Sequence, residues 1–399
     1  MASTDGIAYP LASSSWDGEE IAAMHEVIAS GLFTMGEHVA RFERGFASYV
    51  GAKYCVMVNS GSSANLLMVA ALFYSKAQQL KRGDEAIVPA VSWPTTYYPL
   101  YQYGLRLKFV DIDSETLNID LKQLEQAVTD KTRMIFAVNL LGNPNDFDEI
   151  RRIIGSRDIL LLEDNCESLG AEFKGRQAGT FGLMGSYSSF FSHHMSTMEG
   201  GMIVTDDEEL YHILLSLRSH GWTRQLPKQN KVCGTKGDDP FEESFRFVLP
   251  GYNLRPLELS GAIGIQQVRK LPEFMRIRRE NGLKFIDVMQ NFPRLMVQRE
   301  IGTSSWFGFS MIIRDGAGFN RKQLVESLTR HGVECRPIVA GNFAKNEVVK
   351  WFDHGIHGEL QVANNIDRNG LFIGNHQYPL NREFDALKLA LNDLGAKAA

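Results

Sequence analysis

The sequence predicts an α/β protein with a mostly parallel central sheet and a smaller C-terminal α+β domain. Three observations carry that expectation. Short runs rich in Val, Ile and Leu alternate with helix-length segments through the first two thirds of the chain. That is the pattern of strands buried on both faces by the helices that connect them. After about residue 256 the rhythm changes to one long helical stretch, followed by mixed short elements. The composition, 44% hydrophobic and 22% charged over 399 residues, is that of a globular chain long enough to bury a large core.

The elements follow in order. "KYCVMVNS" reads as a buried strand, and a Gly-Ser turn leads from it into the helical "ANLLMVAALFYS". "EAIVPA" (strand), "TTYYPLYQYG" (helix), "RLKFVDI" (strand) and "RMIFAVNLLG" (strand) continue the alternation, and "DILLLEDN" is a strand ending in an acidic cluster. "RPLELSGAIGIQQVRKLPEFMRIRRENGLKFIDVMQ" predicts one long helix, bent at Pro272. "SSWFGFSMII", "RKQLVESLTRHG" and "EFDALKLALNDLG" supply the smaller α+β region. We therefore expect a large domain over residues 1–255 and a small one, with the connecting helix, over 256–399. Residues 225–244, "QLPKQNKVCGTKGDDPFEES", read as a long polar loop, of a length that is often functional.

Bulk properties exclude several classes. A net charge of −5 without a basic block argues against nucleic acid or an anionic membrane as partner. No apolar run approaches the roughly 20 residues of a spanning helix. The opening "MASTDGIAYPLASSSW" lacks the pattern of a signal peptide. Cys55, Cys166, Cys233 and Cys335 lie far apart, which predicts reduced thiols and a cytoplasmic protein rather than a metal or disulfide framework.

Four stretches hold residues suited to chemistry. In "NSGSSAN" Gly61 permits a tight turn, and Ser62 and Ser63 place donors at a helix N-terminus, where an anion is favoured. Ser-rich helix caps are also common for purely structural reasons. In "LLLEDNCES" Asp164 stands just past a buried strand, where open α/β sheets bind ligands. It suits a protonated ring nitrogen, a metal or a ribose hydroxyl, and equally a helix cap. Trp93 in "PAVSWPTTYYP" is either a stacking surface or core. His193 and His194 in "SSFFSHHMSTMEGG" follow a run of strand type, so one faces a ligand while the other packs. No His or Cys at zinc spacing completes a metal site around them.

Together and in this order these pieces resemble the sugar aminotransferase family of fold-type I pyridoxal-phosphate (PLP) enzymes, which act on nucleotide-linked keto sugars. "FTMGEHVARFERGFASYVGAKYCVMVNSGSSANLLMVAAL", "DEAIVPAVSWPTTYYPLYQYGLRLKFVDID", "LLEDNCESLGAEFKGRQAGTFGLMGSYSSF", "EGGMIVTDDEEL", "LRSHGW" and "GYNLRPLELSGAIGIQQ" carry the resemblance over nearly the whole chain. It implies a PLP site at the carboxyl edge of the sheet, with Ser62, Ser63 and Ser188 on the phosphate, Trp93 stacked on the ring and Asp164 on the pyridine nitrogen. It further implies that Asn253 reaches the cofactor of a neighbouring subunit, making the functional unit a homodimer.

One position departs from the family. Its pattern K-N-(I/L)-x-x-G-E-G-G begins with the lysine that binds PLP covalently, and the corresponding residue here is His193. Imidazole exchanges protons near neutral pH but forms no stable imine with an aldehyde. The cofactor is then held non-covalently, and Lys174 and Lys228 are the remaining lysines to weigh as substitutes. The resemblance extends to members with this same histidine, which implies C3 deoxygenation of a GDP-linked 4-keto-6-deoxy sugar. In that reaction L-glutamate converts PLP to pyridoxamine phosphate (PMP), His193 is the acid–base group and ammonia is released. A related iron–sulfur dehydrase also has histidine here, but its four-cysteine cluster does not match the cysteines of this chain. Ser192 would orient substrate or merely turn the chain. His220, Arg224, Arg255 and Arg336 would hold glutamate or the diphosphate, or form surface ion pairs.

Overall fold

The Val-, Ile- and Leu-rich runs pair into one eight-stranded sheet in the computed structural model, which describes residues 6–396. The outermost residues of both expected domains, and the first five of the stretch read for a signal pattern, lie outside that range. The strands are Tyr54–Val58 (β1), Glu85–Pro89 (β2), Arg106–Val110 (β3), Thr132–Val138 (β4), Leu160–Asp164 (β5), Met184–Ser188 (β6), Gly201–Thr205 (β7) and His354–Ile356 (β8). They lie in the order β1-β7-β6-β5-β4-β2-β3-β8. All neighbours run parallel except β7, which is antiparallel to both β6 and β1. The carboxyl ends of β1, β2, β4, β5 and β6 therefore share one edge of the sheet, and β7 begins there.

The helices pack as their patterns dictate. Gly61–Tyr74 is buried from Leu67 through Leu72, which is why its sequence is apolar all round rather than on one stripe. Ser60 caps it, accepting the Ser63 N–H at 3.1 Å. Pro94 starts the helix Pro94–Gln102, a position that needs no N–H. The long helix Glu258–Met289 continues through Pro272 as a single element.

A smaller antiparallel sheet of Leu295–Met296, Gly308–Ile313, Gly370–Gly374 and Cys335–Arg336 follows. The division expected at residue 255 is crossed twice. Strand β8 adds to the edge of the large sheet, and Phe343, Val349 and Phe352 join its core. In the other direction, Tyr9 packs in the small core and donates from its hydroxyl to Gly374 O at 2.6 Å. Residues 225–244 are more ordered than a plain loop. Gln229–Asn230 pairs with Gly234–Thr235, Asn230 Oδ1 accepts the Val232 and Cys233 N–H groups, and Pro240–Glu243 forms a helical turn. Among the described residues no helix is long and apolar enough to cross a membrane.

Candidate active site

A cavity of about 590 Å³ opens at the carboxyl edge of the sheet. The turn after β1 forms one wall. Gly61 is required there because a Cβ would lie 2.7 Å from Ser188 Cβ and 3.0 Å from Cys166 Sγ. The Ser62 hydroxyl stands free enough to donate weakly to Thr95 Oγ1 at 3.2 Å. Ser63 behaves differently: its hydroxyl donates to Asn59 Oδ1 at 2.6 Å, its N–H is spent on the cap, and it does not line the cavity. Ser60, which the sequence did not single out, does line it.

Asp164 ends β5 and is buried. Its Oδ2 accepts from Thr96 Oγ1 at 2.7 Å and Asn65 Nδ2 at 2.8 Å, and its Oδ1 accepts from Cys166 N at 3.2 Å. Trp93 is 57% exposed, so the indole is a free surface at the cavity wall and not core. Glu167 also lines the cavity, with its Oε2 accepting from Leu141 N at 3.1 Å. Burial pushes its carboxyl up to about 7, and the Asp164 charge adds to the shift.

His193 and His194 lie in the loop between β6 and β7, not on a strand, so strand alternation is not what separates them. A turn does, with His193 N donating to Phe190 O at 2.9 Å. His193 faces the cavity, while His194 is 1% exposed with Nε2 at 3.3 Å from Ser305 O. Burial lowers His193 to about 4, against a partial upward pull from the Cys166 backbone, and burial lowers His194 strongly. His193 is thus a neutral imidazole near pH 7, and its Nδ1 is buried without a protein partner.

Apart from Ser63 and His194, the residues singled out from sequence fall into two groups. Gly61, Ser62, Trp93, Asp164, Ser188, Ser192, His193 and Arg336 line this cavity. His220, Arg224, Asn253 and Arg255 do not, but they gather on one surface around Trp222. The Arg224 guanidinium lies 4.3 Å and that of Arg255 5.8 Å from the indole centroid, and Arg255 Nε donates to Asn253 Oδ1 at 2.9 Å. Asn65, Thr96, Glu167 and Phe307 were missed. The first two sit on helices whose polar residues read as ordinary, and Phe307 reaches the cavity from the smaller unit.

The residues present fit PLP. The crowded Gly61 turn, with the Ser62 and Ser188 hydroxyls beside it, lies at a helix N-terminus, a setting that suits a phosphate. An exposed indole, a buried carboxylate and an imidazole with an unpartnered nitrogen suit the rest of the group. Among the described residues no lysine lines the cavity. Lys174 and Lys228 are instead exposed and paired with Asp148 and Asp238.

Residues 14–380 match the DegT/DnrJ/EryC1/StrS aminotransferase family. The chain is 64% identical over 386 residues to a GDP-4-keto-6-deoxy-D-mannose 3-dehydratase of Escherichia coli O55:H7, covering 96% of this chain and all of that one. A Yersinia pseudotuberculosis protein of the same name is 59% identical, covering 96% of this chain and 97% of that one. The E. coli enzyme with bound hydrated PLP superposes with a TM-score of 0.95 at 63% identity, covering 96% of this chain and 99% of that one. Two further structures of a 3-dehydratase of this name have the same score and identity, each covering 96% of this chain and all of that one. One holds a trapped PLP–glutamate geminal diamine, and the other, a histidine-to-asparagine variant, holds GDP-perosamine.

Proposed function

The chain belongs to the DegT/DnrJ/EryC1/StrS aminotransferase family, and from that premise we propose that it is a PLP/PMP-dependent GDP-4-keto-6-deoxy-D-mannose 3-dehydratase. The observation that carries this reading is His193, an imidazole in the cavity where a family aminotransferase has its lysine. The reaction removes the C3 hydroxyl of the sugar and gives GDP-4-keto-3,6-dideoxy-D-mannose. Its two electrons come from L-glutamate, which leaves as 2-oxoglutarate and ammonia.

When bound, the cofactor supplies the amine that condenses with the sugar ketone and a ring that takes up electrons. The chain's residues do the rest. Gly61, Ser62 and Ser188 would hold the phosphate, and the Trp93 indole would offer a surface for the ring. Asp164, fixed by Thr96, Asn65 and the Cys166 N–H, would keep a proton on the ring nitrogen. His193, neutral near pH 7, accepts a proton from carbon and, once protonated, delivers it to the departing C3 oxygen. With no lysine among the described residues lining the cavity, no side-chain amine there competes to release the sugar as a stable amine.

The functional unit is a homodimer. Asn253, exposed beside Arg255 and away from its own cavity, is available to reach the cofactor phosphate of a neighbouring copy. Arg224, Arg255 and His220 on that same surface, and Arg336 and Ser192 in the cavity, are the groups for the carboxylates of glutamate and the diphosphate. Four free thiols and a nucleotide-sugar substrate fit a cytoplasmic enzyme.

The test is a mass spectrum of the sugar nucleotide after incubation with PLP, glutamate and GDP-4-keto-6-deoxymannose. Loss of one oxygen with the ketone retained is expected. Replacement of the ketone by an amine would make the chain an aminotransferase and overturn the role given to His193.

A further inference from the structure

Arg278 stands in the helix Glu258–Met289 and is 3% exposed, outside the cavity. Among the described residues it has no ion-pair partner, and its guanidinium is lowered to about 10 by burial alone. A buried unpaired cation is costly, so its surroundings warrant a physical account. Its Nη1 donates to Trp306 O at 3.3 Å and Phe307 O at 3.4 Å, and its Nε has no protein partner.

The turn it holds is strained. Trp306 has φ 48°, a left-handed value that a bulky residue rarely adopts. Asn375 Nδ2 also donates to Trp306 O, at 2.8 Å, and Phe307 N donates to Leu141 O at 3.1 Å. Leu141 has φ 53°, and the neighbouring Gly142 packs so tightly that a Cβ would lie 2.4 Å from Trp306 N. The two strained turns thus brace each other, with Arg278 and Asn375 closing the assembly from behind. Its product is the placement of Phe307. That ring lines the cavity with its centroid 5.1 Å from the His193 ring and 5.6 Å from the His194 ring.

We propose that Arg278 is a positioning residue for His193: it fixes Phe307 against the imidazole and places on that turn a positive charge that no carboxylate among the described residues offsets. The proposal rests on His193 as the acid–base group. Burial is the main reason that His193, His194 and His376 resist protonation, and the Arg278 charge adds to it at all three. Other groups face His193. Asp164, Cys166 and Glu167 approach from the end of β5, His194 and Glu199 belong to its own loop, and Arg336 comes from the small sheet. Asp164 is itself buried and bonded to Thr96, Asn65 and the Cys166 N–H, and both it and Arg336 are unchanged in the variants compared below.

The test reads the histidine ring signals by NMR as pH is varied, in the protein without cofactor, so that it does not depend on the product formed. Arg278→Gln keeps amide donors for the carbonyls and removes the charge. Arg278→Lys keeps the charge. The expected result is a rise of roughly threefold or more in the proton affinity of His193 in Arg278→Gln, with Arg278→Lys close to the parent. No rise in Arg278→Gln, or equal rises in both variants, would overturn the electrostatic half. If Arg278→Gln does not fold, Phe307→Leu tests the positioning half with the charge in place. The His193 midpoint should then stay low while kcat falls by about tenfold or more and KM changes less. An unchanged kcat would refute it.

Discussion

Replacing His193 with Asn should flatten the acid sensitivity of the cofactor-free protein by an amount that follows from the site. The imidazole titrates at 6.5 when free and at about 4 in the fold. A depressed value means that the unfolded chain binds the proton first. The folded state therefore loses stability as pH falls through 6.5, and the loss stops growing below about 4. At pH 7.5 the group contributes nothing. At pH 4.5 the unfolded form gains a factor of about 100 and the folded form about 1.3, a difference of about 2.5 kcal/mol. Some ring exposure at the cavity reduces this to roughly 2 kcal/mol. Glu167 works in the opposite sense, because a carboxyl raised to about 7 stabilises the folded state as pH falls, but it is present in both proteins and cancels. The assay is urea unfolding of the parent and His193→Asn at pH 7.5 and 4.5, read as a difference of differences. If both proteins lose the same stability between these pH values, burial does not depress His193, and the assignment of a buried imidazole that stays neutral well below pH 7 is refuted.

Other expectations concern the cofactor site and the proposed homodimer. Gly61→Ala should lower PLP affinity by about tenfold or more, since the new methyl must displace Ser188 or Cys166 at the phosphate turn; titration of the apoprotein with PLP measures it. Thr96→Val removes the 2.7 Å donor to Asp164 and should cost about 1–3 kcal/mol of stability, read from urea midpoints, together with weaker PLP binding. Mixing inactive His193→Asn with inactive Asn253→Asp under conditions of subunit exchange should restore up to roughly a quarter of parental activity, because half the dimers are hybrids and each has one intact site. No recovery on exchange would mean that the two residues serve the same subunit's site.

Legibility from sequence followed the range of the interactions involved. β1, β2, β4 and β5 were readable because each is a continuous buried run, and Asp164 was readable because it ends one of them. Gly61 was readable because a strand, a glycine, serines and a helix follow each other within a few residues. What failed to show was assembled from distant pieces. β8 is three residues long, too short for any periodicity, and exists only because β3 offers it an edge. The donors to Asp164 come from helices starting at residues 61 and 94, and nothing in either segment announces that they converge. The hairpin in residues 225–244 rests on one asparagine closing a turn, a detail hidden in a polar composition. The two histidines differ in surroundings because of a turn and not strand alternation, since the chain leaves the strand before reaching them.

That last point bears on how a loop residue can do acid–base work that demands fixed geometry. The loop carrying His193 is closed at its base by adjoining antiparallel strands, with Ser188 opposite Gly201. Just beyond that pair, Ser189 N donates to Gly200 O at 2.9 Å and Thr197 N to Ser189 O at 2.9 Å, while the Ser189 and Thr197 hydroxyls bond at 2.6 Å. A Cβ on Gly200 would stand 2.4 Å from both hydroxyl oxygens, so the ring of contacts leaves no slack. At its far side the loop is held by Gln267, whose Oε1 accepts the Ser196 N–H at 3.0 Å, and by His194 buried under Ser305. The loop is therefore pinned at both feet and along its back, and His193 is the member whose ring remains turned to the cavity. A lysine on the same support would need only to reach the cofactor with a flexible chain. An imidazole has two rotatable bonds and must be delivered by the backbone, and the pinned loop provides that delivery.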